Sequence, residues 1–148
     1  MKVRRIGIVG AGQLGRMLAL AGYPLGVKCM FLDRSEDAPG AQVSSLLRGE
    51  LGDPQRLKAL AAQNDVLTFD WENVPGRALA LLGKRVLVRP PPAALEASQD
   101  RLREKALFTS LRIPVAAHAA VDSWSDLSRA IRTLGARGIL KTRRLGYD

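Results

Sequence analysis

Arg5-Ile-Gly-Ile-Val-Gly10-Ala-Gly-Gln-Leu-Gly15 is the stretch that decides the fold of this chain. Residues 5–9 have the length and apolar character of a short buried strand, and residues 10–15, the glycine turn, follow directly. The apolar residues that come next recur at helical spacing and predict the buried face of a helix: Leu14, Met17, Leu18 and Ala21. A second apolar strand, residues 27–32, then ends at Asp33. This strand-helix-strand unit implies a right-handed crossover and a parallel sheet, so the predicted fold class is α/β, with a Rossmann-like sheet.

The glycine turn matches the G-x-G-x-x-G spacing through Gly10, Gly12 and Gly15. Such glycines allow a sharp turn, a close backbone approach to a ligand, and tight packing of the helix on the sheet. Asp33 stands where a dinucleotide-binding protein places its ribose-binding carboxylate, so these residues alone are compatible with an NAD-dependent oxidoreductase. The plainer alternative is that the glycines only shape a tight turn. Gln13 favours a different ligand from NAD, because its polar side chain at the first helical turn can bind a small polar molecule directly.

The rest of the chain continues the alternation of helices and strands. The pattern predicts a short helix around residues 42–47, a helix starting at Asp53-Pro54, a strand at 65–71, a helix at 77–82 and a strand at 85–88. Three consecutive prolines at 90–92 form a stiff break, so we predict one domain over residues 1–90 and the beginning of another over 91–148. In the second segment we predict a helix over 98–111, a helix behind the capping sequence 123–126 that ends at Gly135, and a strand at 138–141.

The composition limits the classes of partner. The 148 residues include 23 Lys and Arg against 14 Asp and Glu, which gives a formal net charge of +9. The basic residues are scattered, and no aromatic residues interleave with them as a stacking platform requires, which argues against nucleic acid. No apolar run is long enough to span a bilayer, and the N-terminus lacks a signal-peptide core. We therefore expect a soluble cytoplasmic protein that binds small anionic molecules and no membrane.

The run Lys141-Thr-Arg-Arg-Leu-Gly-Tyr-Asp148 has the chemistry of a phosphate-holding segment. Lys141 follows two apolar residues in a predicted strand, and a lysine there is costly unless its amine reaches an anion. The structural alternative is an edge-strand lysine that discourages aggregation. Because the chain stops within this run, we expect it to hold only half of a site.

Four motifs occur in a fixed order along the chain: residues 10–17, 72–75, 99–102 with Lys105, and 141–148. Together they closely resemble the N-terminal part of the 5-(carboxyamino)imidazole ribonucleotide synthase family, which belongs to the ATP-grasp carboxylase-type ligases of purine biosynthesis. The resemblance covers essentially the whole chain. The run with Arg143-Arg144 and Gly146-Tyr-Asp148 is its most specific motif. Trp71, where another aromatic residue is expected, is a mild departure that touches no proposed role.

The resemblance implies a ligase that uses ATP to activate bicarbonate as carboxyphosphate. The carboxyl group then passes to the exocyclic amine of 5-aminoimidazole ribonucleotide, with release of ADP and phosphate, in IMP biosynthesis. It further implies a preATP-grasp domain without bound dinucleotide at residues 1–90, an incomplete ATP-grasp domain at 91–148, and a homodimer. Magnesium is implied as well, with its acidic ligands expected beyond residue 148, so no metal site is predicted here and we expect this chain alone to be inactive.

The resemblance also assigns binding roles, although no catalytic residue is predicted within this chain. The predicted ribonucleotide contacts are Gly12, Gln13, Leu14, Glu72, Tyr147 and Asp148. The predicted ATP contacts are Arg101, Lys141, Gly146, Tyr147 and Asp148. Each has a structural alternative, such as a core position for Leu14, a solvated loop acid for Glu72 and a surface salt-bridge helix for Arg101. A non-catalytic Rossmann-like nucleotide-binding module and an NAD-dependent oxidoreductase remain the alternative functions.

Overall fold

The first half of the chain forms a parallel sheet. The computed structural model describes residues 4–82 and 86–145, which divide into two compact units, Met1–Glu96 and Ala97–Asp148. The strands are β1 Arg5–Val9, β2 Lys28–Asp33, β3 Ser45–Arg48, β4 Val66–Phe69 and β5 Leu87–Val88. They pair in parallel in the order β3-β2-β1-β4-β5. This is a doubly wound order, and it confirms the predicted α/β class with a parallel sheet.

Helices connect and follow the strands. Their bounds are α1 Gln13–Gly22, α2 Pro54–Gln63, α3 Gly76–Leu82, α4 Pro92–Ser98, α5 Arg101–Ser110 and α6 Trp124–Leu134. The predicted start of α2 is confirmed, because the Asp53 side chain accepts a hydrogen bond from the Gln55 N–H at 2.8 Å and Pro54 occupies the first helical position. Within the described ranges, none of these helices is both long and apolar enough to cross a membrane.

Apolar side chains cover the sheet on both faces. Successive residues of a strand point to opposite faces, and the two core clusters follow that alternation. One cluster contains Val9 and Leu32 together with α2, whereas the other contains Ile8 and Phe31 together with Ala19 of α1. The strands are therefore buried between helices, as is usual for a parallel sheet, which leaves the ends of the sheet for ligands.

The predicted buried face of α1 is wrong. Leu14, Met17 and Leu18 are 59%, 58% and 48% exposed, and Ala21 is exposed as well. The helix instead buries Gly15 and Ala19. A Cβ atom on Gly15 would lie 3.0 Å from the Phe31 ring, so the helix approaches the sheet closely through small residues and turns its larger ones outward.

The predicted helix around residues 42–47 is also wrong. A short 3₁₀ helix, Pro39–Gln42, precedes β3, which pairs with β2 from Met30↔Ser45 to Asp33↔Arg48. Ser44 Oγ donates a hydrogen bond to the Cys29 carbonyl and fixes the start of this pairing. The ladder with β2 therefore overrides the weak helical pattern of this stretch.

The second unit contains α5 and α6. α5 begins at Arg101 rather than near Ser98, because the Asp100 side chain accepts hydrogen bonds from Leu102 N–H and Arg103 N–H at 3.0 and 3.3 Å. The predicted cap of α6 is confirmed by the Ser123 Oγ, which accepts from Asp126 N–H at 3.2 Å. Gly135, with φ +94°, ends that helix as predicted.

The strand predicted at residues 138–141 is not formed. These residues are exposed and have no regular secondary structure. A strand needs a neighbouring strand for its backbone groups, and every described strand lies in the other unit. The apolar residues at 138–141 are therefore not enough to form a strand by themselves.

Candidate functional site

The sheet register brings three chain segments to one edge. Val9 pairs with Leu32 on one side and with Phe69 on the other. The next residues along each strand, Gly10, Asp33 and Asp70, therefore lie side by side at the carboxyl ends of β1, β2 and β4. Open α/β sheets bind ligands at this edge, near the point where the strand order reverses.

Two carboxylates hold the backbone of the glycine turn. Asp33 Oδ2 accepts a hydrogen bond from Ala11 N–H at 2.8 Å, and Asp70 Oδ2 accepts one from Gly12 N–H at 2.7 Å. The Ala11 carbonyl in turn accepts from Gly40 N–H at 2.8 Å. The turn thus makes charge-assisted hydrogen bonds to residues from two other strands, which fixes its conformation before any ligand arrives.

The glycines make room for Asp70. A Cβ atom on Gly10 would lie 1.8 Å from Asp70 Oδ1, and one on Gly12 would lie 2.9 Å from Asp70 Oδ2. Gly15 is 3.4 Å from the same Oδ2 by this measure. The spacing of the glycine turn therefore serves the close approach of a carboxyl group of the protein itself, and Gly10 also needs its left-handed φ of +93°.

A cleft of about 360 Å³ opens beside the turn, and we call it the turn cleft. Its size suits a small ligand. Its walls come from the glycine turn, from the ends of β2 and β4 and from the loop before α2: Gly10, Gly12, Gln13, Leu14, Asp33, Arg34, Leu51, Asp70 and Trp71.

Asp70 has the most perturbed environment in the turn cleft. Burial raises the pKa of its carboxyl above the ordinary value of 3.8, the negative charge of Asp33 raises it further, and the Gly12 N–H bond opposes both. Its Oδ1 is buried and has no hydrogen-bond partner among the described residues. Ionisation of Asp70 therefore destabilises the folded state. The hydrogen bond from Gly12 N–H offsets part of this effect.

This raised pKa predicts a pH-dependent effect of Asp70→Asn. Folding disfavours the ionised carboxyl, so protonated Asp70 contributes to the stability of the folded state. This contribution is fully present below pH 3.8, the ordinary pKa, and is lost as the pH rises through the higher pKa of the folded state. The asparagine does not titrate. The free energy of unfolding of the variant minus that of the wild type should therefore increase from about pH 3 to about pH 7, as measured by urea denaturation at each pH.

Asp65→Asn is the matched control with the opposite sign. The backbone N–H groups of Arg4 and Arg5 hydrogen-bond to Asp65 and lower the pKa of its carboxyl. Ionised Asp65 stabilises the folded state above pH 3.8, and this contribution is lost as the pH falls through the lower pKa of the folded state. The free energy of unfolding of Asp65→Asn minus that of the wild type should therefore decrease as the pH rises. If the difference from wild type changes with pH in the same direction for both variants, the raised pKa of Asp70 is contradicted.

Only some of the predicted ribonucleotide contacts lie in the turn cleft. Gly12, Gln13 and Leu14 line the turn cleft, and the exposure of Leu14 removes the argument that it is a core residue. Glu72 is half-buried just beyond β4, next to the cleft residue Trp71, and is itself not among the lining residues. Tyr147 and Asp148 lie outside the described residues, as does Gly146.

The second unit brings Arg101 to the segment that follows Lys141. Arg101 N–H donates to the Arg143 carbonyl at 3.0 Å, and Arg101 Nε donates to the Thr142 carbonyl at 3.1 Å. Arg143 also pairs with Asp122, whereas the Lys141 side chain is exposed. The start of α5 and residues 142–143 are therefore tied together, with several cations close by.

Sequence reasoning missed four residues of the turn cleft: Arg34, Leu51, Asp70 and Trp71. For Asp70 a usable signal existed. It directly follows a strand that neighbours β1, at the carboxyl edge where ligands bind, and it is a carboxylate at the end of an apolar run. Leu51 carried no such signal, because its position depends on the edge strand β3 that the sequence pattern did not reveal.

The chain is similar in sequence and in structure to known ribonucleotide synthases. The chain is 44% identical over 144 residues to N5-carboxyaminoimidazole ribonucleotide synthase of Pseudomonas aeruginosa, which covers 97% of this chain and 40% of the relative. The crystal structure of the Thermus thermophilus synthetase has 47% identity and a TM-score of 0.89, over 94% of this chain and 39% of that one. The crystal structure of the Aspergillus clavatus synthase in complex with ADP and 5-aminoimidazole ribonucleotide has 28% identity and a TM-score of 0.88. The match covers 97% of this chain and 39% of that one.

These similarities confirm the resemblance that the ordered motifs predicted, to the N-terminal portion of this synthase. The chain spans about 40% of the length of the curated relatives it matches. Residues 3–99 match the family described as the ribonucleotide synthetase preATP-grasp domain. By its sheet order, its glycine turn and this match over most of its length, the chain belongs to the ribonucleotide synthetase preATP-grasp domain family.

Proposed function

We propose that this chain forms the N-terminal part of an ATP-dependent ligase that carboxylates 5-aminoimidazole ribonucleotide with bicarbonate. The products would be 5-(carboxyamino)imidazole ribonucleotide, ADP and phosphate. The observation that carries the proposal is the turn cleft at the carboxyl edge of the sheet, in a chain whose Aspergillus clavatus relative was crystallised with that ribonucleotide and ADP. The same proposal includes a cytoplasmic location, a homodimer and a domain boundary near residue 90.

In this proposal the turn cleft receives the ribonucleotide. Gly12 offers a close backbone approach, Gln13 offers amide donor and acceptor groups, and Leu14 offers an apolar contact for the imidazole ring. The Glu72 carboxylate, at the end of β4, would hold ribose hydroxyls or the amine. The turn is already fixed by Asp33 and Asp70, so binding would cost little ordering of the backbone.

ATP is assigned to the cations of the second unit. Arg101 and Lys141 would hold its phosphates, with Gly146, Tyr147 and Asp148 next to them in the sequence. Support comes from the hydrogen bonds of Arg101 to the backbone that directly follows Lys141. A guanidinium and an ammonium group that converge on a ligand suit a triphosphate.

Magnesium would neutralise the transferring phosphoryl group. Within residues 4–82 and 86–145, no group of three or more His, Cys, Asp or Glu side chains is arranged to hold a metal ion.

A chimera tests the proposed activity directly. This chain would replace the matching N-terminal portion of the Pseudomonas aeruginosa relative, and release of ADP would be measured with 5-aminoimidazole ribonucleotide and bicarbonate. We expect turnover that requires both substrates. Glu72→Ala in the chimera should raise KM for the ribonucleotide about 10- to 100-fold, the effect of losing a charged hydrogen bond.

Asp37→Ala is the control for that variant, because it removes an exposed carboxylate outside the turn cleft. Its KM should match that of the unmodified chimera. A folded chimera without ribonucleotide-dependent ADP release would contradict the proposal, and NAD-dependent hydride transfer by this chain would replace it.

A further inference from the structure

We propose that Asp100 and Asp122 are positioning residues for the proposed ATP site. Each pairs with one of the two arginines in residues 142–144, which we call the arginine segment, and so holds that segment at the start of α5. Arg143 and Arg144 thereby order the site and do not bind phosphate themselves. The identity of the ligand rests on the proposed function above, whereas the attachment of the segment rests only on the contacts around it.

The arginine segment has no regular secondary structure to hold it in place. Its residues are exposed and belong to no helix or strand, and Leu145 directly after it has a left-handed φ of +55°. Its backbone is held by Arg101, whose N–H donates to the Arg143 carbonyl at 3.0 Å and whose Nε donates to the Thr142 carbonyl at 3.1 Å. The position of the segment, and with it that of the preceding Lys141, therefore depends on contacts with the start of α5.

Both arginines of the segment are paired with carboxylates. The Arg143 guanidinium donates a hydrogen bond to the Asp122 carboxylate, and Arg144 Nε lies 3.8 Å from Asp100 Oδ2. Lys141, by contrast, makes no ion pair with any residue that the structure describes. A phosphate would have to compete with a carboxylate at each arginine, whereas the ammonium group of the lysine is available to it.

Asp100 joins the segment to α5 through separate oxygens. Its Oδ1 accepts hydrogen bonds from Leu102 N–H and Arg103 N–H at 3.0 and 3.3 Å, and its Oδ2 faces Arg144. Burial tends to raise the pKa of this carboxyl, but the two N–H groups and the charges of Arg144 and Arg103 outweigh burial and lower the pKa. The carboxylate is therefore ionised at neutral pH and is already oriented by the helix that it caps.

Asp122 holds the segment from another part of the same unit. It directly precedes Ser123, the capping residue of α6, and its N–H donates to Asp126 Oδ2 at 3.3 Å. The arginine segment is thus attached to the starts of two helices. Exposed ion pairs are weak individually, and the Asp122 side chain is 68% exposed, so the two aspartates have to be removed together to test their role.

Amide hydrogen exchange of the whole chain, followed by NMR, tests the attachment without any ligand. Arg101 N–H is the reporter, because it donates to the Arg143 carbonyl. In the double variant Asp100→Asn/Asp122→Asn we expect about fivefold less protection of this N–H, the effect of losing two exposed ion pairs. Asparagine caps a helix as well as aspartate does, so Leu102 N–H should keep its protection. Unchanged protection of Arg101 N–H, or an equal loss at Leu102 N–H, would overturn the inference.

Two control variants make the comparison specific. Asp122→Glu keeps the charge that pairs with Arg143 and should retain the protection of the wild type. Glu36→Gln removes an exposed ion pair with Arg48 in the other unit, and it should also leave Arg101 N–H unchanged. If either control lowers the protection as much as the double variant does, the two aspartates have no specific role.

The kinetics of the chimera test the role of the aspartates in ATP binding. The double variant should raise KM for ATP about two- to fivefold and leave kcat and KM for the ribonucleotide unchanged, because a site that is ordered for less of the time binds its ligand more weakly. Arg143→Gln/Arg144→Gln should have a similar effect, and combining the four substitutions should add nothing further.

Direct binding of phosphate by the arginines predicts the opposite sign. Loss of the aspartates would then free Arg143 and Arg144 for the anion and lower KM for ATP, and that result would overturn the inference. A folded chimera without ATP-dependent turnover would contradict the proposed function, and the exchange of Arg101 N–H would still decide whether the aspartates hold the segment.

Discussion

Gly10→Ala is expected to destabilise the chain by about 3 kcal/mol, the sum of a left-handed backbone penalty and a lost buried hydrogen bond. Gly10 has φ +93°, and a Cβ atom there would lie 1.8 Å from Asp70 Oδ1. The Asp70 side chain must then move and release Gly12 N–H. Urea unfolding followed by circular dichroism measures the change.

Gly26→Ala is the matched control. Gly26 also has a left-handed φ, +72°, but nothing lies within 4 Å of its Cβ position. Only the backbone penalty of about 1–2 kcal/mol should remain. Equal losses for the two variants would show that Asp70 does not fill the space beside Gly10.

A double variant isolates the contact itself. In the Asp70→Ala background, Gly10→Ala should cost no more than Gly26→Ala, because the clashing carboxyl is gone. The two residues are in contact, so their effects should not add. Additive losses would contradict the arrangement of the turn described above.

Phe31→Ala is expected to cost about 3–5 kcal/mol, the usual loss for a buried aromatic ring. Phe31 is 0% exposed, and its ring lies 3.0 Å from the Cβ positions of both Gly15 and Gly40. Removal of the ring leaves a cavity under α1 and under the 3₁₀ helix that donates to the glycine turn. The free energy of unfolding in urea measures the loss.

Leu25→Ala serves as its control, because Leu25 is 79% exposed and its removal should change stability by less than about 0.5 kcal/mol. A similar small effect for Phe31→Ala would mean that α1 does not depend on this ring for its packing.

The sheet was predictable where strands are buried on both faces. β1 and β2 are short apolar runs bounded by glycine or aspartate, and such runs have few alternatives. β3 was not predictable, because residues 45–48 are half-buried or exposed and are held mainly by pairing with β2. Pairing partners are not visible in the pattern of a single segment.

The packing of α1 shows a second limit. Hydrophobic periodicity assigned its larger apolar residues to the core, whereas close approach to Phe31 required glycine and alanine there. Glycine and alanine give a weaker signal on a hydrophobicity scale than leucine or methionine, although they allow the shortest distance between a helix and a sheet. The outward position of Leu14 at the turn cleft follows from this packing.

The candidate site was predictable in part for a related reason. The glycine turn and Gln13 are a local motif, so spacing reveals them. Asp70 is 58 residues from its partner Gly12, and only the parallel register of β1 and β4 joins them. The same separation hides the real use of the glycines, which is to accommodate a carboxyl group from another strand.

One titration tests the central claim that the turn cleft is a ribonucleotide site and not a dinucleotide site. Backbone amide NMR of the chain with 5-aminoimidazole ribonucleotide should shift Gly12, Gln13 and Leu14, and NAD at the same concentration should leave them unmoved. Shifts of these amides with NAD and none with the ribonucleotide would contradict the account.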